Sequence, residues 1–164
     1  MATEGHDPRA VANLMLEAAE EREIALTNLA LQKLLYFAHA LFLVEKKKPL
    51  LSGYFEAWQY GPVHPVAYRA FKEAGDKPIK FRANRTDVVT GQPRPIEPLS
   101  ESTVRRHIAR IVSSYGELTP GRLVEISHAK NAPWDFIVHK GRTSVAFGMR
   151  IPDRRSAAKR TYTT

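Results

Sequence analysis

Residues 28–45 read NLALQKLLYFAHALFLVE, and this stretch decides the fold. It contains neither glycine nor proline, and almost every position is a good helix former. Thr27 stands just before it as an N-cap, its hydroxyl placed to accept from an orphan backbone N–H. At the far end Lys46, Lys47 and Lys48 suit the negative end of the helix dipole, and Pro49 stops the helix. Leu29, Leu31, Leu34, Leu35, Phe37, Leu41, Phe42 and Val44 cover most of the circumference, so the helix belongs at the centre of a core. Gln32, Tyr36 and His39 form the one polar stripe, with Lys33 beside it. Gln32, Lys33 and His39 also interrupt the apolar run well short of the roughly 18 residues a membrane span needs. The stretch reads as the core helix of a soluble protein with no membrane partner.

Working outward, Asp7-Pro8 opens an earlier helix, with aspartate as N-cap and proline at the first helical position. Val11, Leu14, Met15 and Ala18 carry its apolar stripe to about Arg22, and Glu17, Glu20, Glu21 and Glu23 its solvated side. After the central helix, Ser52-Gly53 reads as a turn and Phe55 to Tyr60 as an aromatic-rich strand. Gly61-Pro62 ends that strand, and Pro65 begins a helix over 65–74 capped by Gly75. From Asp76 to Pro98, Ile79-Lys80-Phe81 and Val88-Val89 read as a short strand pair. Gly91, Pro93, Pro95 and Pro98 read as an exposed loop, and one this long is either functional or mobile. Ser100 or Ser102 starts a helix that keeps phase through Val104, Ile108, Ile111, Val112 and Tyr115, with Arg105, Arg106 and Arg110 outside. Thr119-Pro120 starts another, and Ala132-Pro133-Trp134 a short helical turn. The expectation is a mainly α (α+β) fold: a compact helical domain around a central helix at about 28–46, with a small β element near 54–60 and 79–89.

The chain of 164 residues has no cysteine, which excludes disulfides, thiolate zinc sites and cysteine catalysis. Its net charge of +8 is uneven. Residues 1–45 hold seven acidic and three basic side chains, a net −4, which leaves +12 for the remainder. A basic body suits an acidic partner surface or nucleic acid. No signal peptide precedes the first helix, which makes the cytoplasm the expected compartment.

Catalytic signatures are missing: there is no H-E-x-x-H, no glycine-rich phosphate loop and no G-x-S-x-G elbow. Ser127 and His128 are neighbours on a helix, where side chains diverge by about 100° and form no dyad. No enzyme, cofactor or metal is expected. The helices at 102–115 and 120–128 superficially suggest a helix-turn-helix, but Pro120 and Gly121 occupy the turn that should read bases.

Three segments in order carry a family resemblance: LQKLLYFAHALFLVE (31–45), FEAWQYGPVHPVAYRAF (55–71) and SHAKNAPW (127–134). Together they resemble the Panacea, or SocA-like, antitoxin domain, whose hallmarks are an L-x-K-L-L-Y-F-like helix, an A-W-x-Y-G-P-V segment and a later histidine followed by P-W. The resemblance implies one such domain over 1–150, followed by a basic tail, 151–164, in which Asp153 is placed to cap a last short helix. It implies a type II-like antitoxin that neutralises a cognate protein toxin encoded by an adjacent gene. It also implies a degradation adaptor that hands the toxin to a AAA+ protease of the ClpXP type. Inhibition, delivery, or both are compatible with the motifs. The alternative is a nucleic-acid-binding regulator using the basic C-terminal half.

Among the motif residues, Leu31, Leu34, Leu35, Phe37, Trp58, Tyr60, Gly61, Pro62, Val63, His128, Pro133 and Trp134 read as scaffold. Gln32, Lys33, Tyr36, His39 and His64 are less easily explained by packing and are expected to line the partner-facing surface.

Overall fold

Asp7 sets the first helix. Its Oδ1 accepts the Arg9 N–H at 2.9 Å, and with Pro8 at the first position the chain enters α1 (Pro8–Glu21). A computed structural model describes residues 5–59, 61–127 and 149–151 of the chain. The expectations for Tyr60, His128, Pro133, Trp134 and the tail beyond residue 151 lie outside the described residues. The order of elements after α1 is α2 (Asn28–Lys46), β1 (Phe55–Trp58), β2 (Gly61–Val63), α3 (Pro65–Phe71), β3 (Asn84–Thr86), β4 (Pro93–Pro95), α4 (Ser102–Tyr115), α5 (Pro120–Ser127) and β5 (Met149–Ile151). The mainly α, α+β class holds: helices build the core and two small antiparallel sheets flank it.

The helix ends are set locally. Thr27 Oγ1 accepts the Ala30 N–H at 3.2 Å, starting α2 where the N-cap places it. Beyond α1, Glu23 N–H donates to Glu20 O and Ile24 N–H to Ala19 O, with Glu23 left-handed at φ 59°. That is a Schellman closure with the apolar Ile24 folding back on the core.

α2 is the hub, touched by α1, α3, α4, α5 and β2. Leu31, Leu34, Leu35, Ala38 and Phe42 are buried, and Phe37 stacks its ring on Tyr115 of α4 at 5.2 Å. Each leucine and phenylalanine among them contributes about 1.5–3 kcal/mol through removal from water. Leu29 departs from the expected all-round burial and lies partly in solvent. α4 buries Val104, Ile108, Ile111 and Val112 and turns Arg105, Arg106 and Arg110 outward, as its 3.6-residue period requires.

The β structure departs from expectation in three ways. Gly61-Pro62 does not end the β element. These residues open β2, which pairs antiparallel with β1 in the register Trp58–Gly61, Ala57–Pro62 and Glu56–Val63. Gly61 sits at φ 107°, a backbone conformation that lets the chain reverse and continue as a strand. β5 then covers the other edge of β1, pairing Phe55 with Ile151, so β1 is the central strand of a β2-β1-β5 sheet. Finally, the second sheet is formed by 84–86 and 93–95, not by 79–81 and 88–89.

Proline explains the shift in that second sheet. Asn84 faces Pro95, Thr86 faces Pro93, and Arg85 faces Arg94. Neither proline has an N–H, so the ladder donors come from Arg85 and Arg94, and both prolines turn their bare nitrogens to the open edge. Val88 and Val89 are displaced from a strand into the hairpin tip.

This hairpin is moored to the core through α1. Asn13 Nδ2 donates to Ala83 O at 3.1 Å while its Oδ1 accepts Ala83 N–H at 2.8 Å, an amide pairing with backbone as a neighbouring strand would. Arg9 reaches Asn84 O at 3.3 Å, and Ile79 N–H donates to Leu26 O at 2.8 Å. Because Ala83 is buried, Asn13→Ala leaves its N–H and C=O without partners. The expected cost is about 1–3 kcal/mol, read as a lower urea midpoint with an unchanged slope. An unaltered midpoint would show that the mooring is immaterial.

Candidate functional site

The polar stripe of α2 points inward. Gln32, Lys33, Tyr36 and His39 are all buried, as is His64, which follows β2. Expected to line the partner-facing surface, these five side chains are enclosed within the fold, because α2 is covered on the stripe side as well. The structure does bring them together, around the segment 50–64.

The contacts run in sequence along the helix. Asn28 Nδ2 donates to Tyr68 O at 3.1 Å, and its Oδ1 accepts from Gln32 Nε2 at 3.0 Å. Gln32 Oε1 in turn accepts the His64 N–H at 3.0 Å. At the next residue, Lys33 Nζ donates to Pro62 O at 2.9 Å. His39 Nδ1 accepts the Leu51 N–H at 3.2 Å, which leaves Nε2 as the ring nitrogen that bears a proton. His64 Nε2 lies 2.9 Å from Ser52 O, a carbonyl that can only accept, so His64 also carries its proton on Nε2.

Phe55 on β1 is the apolar centre of this network. Its ring meets Tyr36 edge-on at 5.4 Å, His64 edge-on at 5.3 Å and His39 at 5.4 Å. Such edge-to-face contacts favour these rings beyond the area they bury. Gly53 leaves room: a Cβ there would lie 3.0 Å from His64 Nε2. Asn28, Ser52 and Phe55 belong to the site, although their sequence reading did not single them out. The spacing of Asn28 and Gln32, four apart on a helix, was the available signal.

Lys33 is electrostatically unusual. Its ammonium is fully buried, and burial pushes its pKa down from the usual 10.5 to about 7. Pro62 O accepts a hydrogen bond from it. The group is thereby a backbone clamp holding β2 to α2.

A third buried histidine was missed in the sequence. His107 on α4 places Nε2 at 2.8 Å from Ala38 O of α2, accepts from Arg110 at 3.2 Å through Nδ1, and stacks edge-on against Phe42. Burial foremost lowers its pKa, so it stays neutral as a cross-helix clamp.

The motif residues Leu31, Leu34, Leu35, Phe37, Gly61, Pro62 and Val63 are buried around the same network. Trp58 is half-buried. It meets Tyr68 edge-on at 4.9 Å and donates Nε1–H to Glu56 at 2.8 Å. On α5, Arg122 forms an exposed ion pair with Glu125 at 2.9 Å. Among the described residues no group of three or more His, Cys, Asp or Glu could hold a metal ion, and no helix is long and apolar enough to cross a membrane.

The family profile described as "Antitoxin SocA-like, Panacea domain" matches residues 31–135, which takes in the whole polar network beyond Asn28. The chain belongs to this antitoxin family. It is similar to Antitoxin SocA of Caulobacter vibrioides (strain NA1000 / CB15N), with 45% identity over 148 residues, covering 90% of this chain and 79% of that protein. No solved structure matches. In this member of the family, the signature helix contributes a buried polar network as well as apolar packing.

The network has a measurable pH signature through Lys33. Between pH about 7 and 10.5 the unfolded chain holds a proton on Lys33 that the native chain has released. Stability therefore rises with pH across that window, and below about 7 the full penalty of a buried ammonium applies, roughly 5 kcal/mol. Lys33→Met removes the ammonium and keeps most of the volume. Relief of the buried ammonium is offset by the orphaned Pro62 O, so the variant's stability relative to the unsubstituted chain should be most favourable near pH 7 and decline toward pH 10, by urea unfolding. A difference independent of pH would show that the ammonium is not desolvated.

Proposed function

We propose that the chain is the antitoxin of a bicistronic, type II-like toxin–antitoxin pair, and that it neutralises a cognate protein toxin encoded by the adjacent gene through direct contact. The observation that carries this reading is the family match across residues 31–135, together with 45% identity to a protein named antitoxin. The geometry of the site agrees with it. Its polar side chains are engaged with the chain's own backbone at Leu51, Ser52, Pro62, His64 and Tyr68, in contacts that hold shape.

Gln32, Lys33, Tyr36, His39 and His64 serve the partner indirectly in this proposal. They fix β1, β2 and the start of α3, and so present the half-buried Trp58–Tyr68 pair in one arrangement. Tryptophan and tyrosine anchors of this kind carry much of the energy of protein interfaces. A second part of the proposal, that the bound toxin is delivered to a ClpXP-type AAA+ protease, builds on the same contact.

Co-expression provides the test. The adjacent gene's product should arrest growth when expressed alone, and this chain should restore growth and co-purify with it. A neighbour that is harmless alone and does not co-purify would refute the antitoxin reading. With purified components, the toxin should be degraded by the protease only when the antitoxin is present. Degradation at one rate with or without it would remove the delivery role and leave neutralisation by binding.

A further inference from the structure

The β3–β4 hairpin ends in six residues, Asp87 to Gln92, whose sequence the core does not explain. Val88 is 99% exposed and Val89 89% exposed. Hairpin tips favour glycine, asparagine and aspartate, and two adjacent β-branched hydrocarbons have no local reason to be there. An apolar pair held fully in water is a feature of interaction sites.

The tip is also tightly built. Asp87 N–H donates to Gln92 O at 2.9 Å, and Gly91 N–H to Asp87 O at 2.8 Å. The Asp87 carboxylate accepts Val89 N–H at 2.8 Å and Thr90 N–H at 3.0 Å on Oδ1, and Arg94 at 3.2 Å on Oδ2. Gly91 closes the turn at φ 71°, a conformation that side chains rarely adopt. The two valines are therefore ordered before any partner arrives, which reduces the entropy lost on association.

Two further observations narrow the occupant. Pro93 and Pro95 strip the outer edge of β4 of N–H donors, so that edge is ill-suited to extend a sheet with a second copy of the chain. Residues 77–94 carry five cations, Lys77, Lys80, Arg82, Arg85 and Arg94, against Asp87 alone. A cationic arm with an apolar point complements an apolar pocket rimmed by carboxylates.

We propose that the 87–92 tip is an anchor that inserts Val88 and Val89 into an acid-rimmed apolar pocket on the partner protein. The inference rests on the antitoxin reading and takes the toxin as the occupant.

The experiment measures binding of the adjacent gene's purified product to the full-length chain and to three variants. The Val88→Ser/Val89→Ser double variant should keep its circular dichroism and unfolding midpoint, because neither side chain is packed against the core. Its Kd should rise on the order of 30-fold or more, as expected when two buried valines become polar. Asp87→Ala keeps the valines and frees the turn, so it should weaken binding by a smaller factor, about threefold to tenfold. Arg85→Glu should slow association, most at low salt. If the unaltered chain binds and the double variant binds within about twofold of it, the anchor is refuted while the antitoxin reading stands. If the unaltered chain does not bind, the antitoxin reading fails and the anchor's occupant with it. A dimer of the chain alone that dissociates on the double substitution would assign the tip to self-association and overturn the proposal.

Discussion

A polar atom taken into the core must find its partner inside the chain, and α2 takes in a whole stripe of them. Asn28, Gln32, Lys33 and His39 sit over more than three turns of one helix. Each is met by a backbone group from residues 51–68: Tyr68 O, His64 N–H, Pro62 O and Leu51 N–H. Apolar contacts are tolerant of small slides, whereas hydrogen bonds of this kind are lost within an ångström. The stripe thus sets where β1, β2 and α3 lie along α2, and a misplaced register would leave several buried groups unsatisfied at once. Phe55, with three polar aromatic rings against it, fills the space this arrangement leaves.

The helices were legible because their signals are local. Asp7-Pro8, Thr27 and Pro65 mark helix starts that the structure reproduces, and the periodicity of Val104, Ile108, Ile111 and Val112 predicts their burial. The inward turn of the α2 stripe was not legible. Spacing reveals which residues share a face, but not what that face meets. Gln32, Tyr36 and His39 have the same periodicity whether they meet water or backbone. Four strands, β2 to β5, escaped for a different reason, β3 being placed by its partner β4. β2 begins with Gly61-Pro62 and β4 contains two prolines, residues that punctuate structure in most contexts, while β5 pairs with a strand some ninety positions earlier.

The charge asymmetry of the chain is partly resolved in the fold. Glu20 on α1 meets Arg82 at 2.7 Å, and Glu45 near the end of α2 meets Arg110 at 3.0 Å. Acidic groups of the first 45 residues are thus placed beside cations from the basic remainder. These pairs are exposed, and each adds only about 0–1 kcal/mol. Their larger effect is on the surface field, since one mutes a cation of α4 and the other a cation of the segment that leads into the β3–β4 hairpin.

The central position of β1 bears on how the protein is made. Its β2 edge is satisfied by residues that follow within a few positions, but its other edge waits for Met149–Ile151. During synthesis, Phe55 to Trp58 emerge long before their second neighbour, and translation at about 5–20 residues per second sets that interval at several seconds. Through that interval the nascent chain presents an unpaired strand edge beside an aromatic-rich face, the kind of surface that recruits chaperones or stray strands. A chain interrupted before residue 149 keeps that edge open for good. Synthesis past residue 149 is therefore coupled to closure of the sheet around β1.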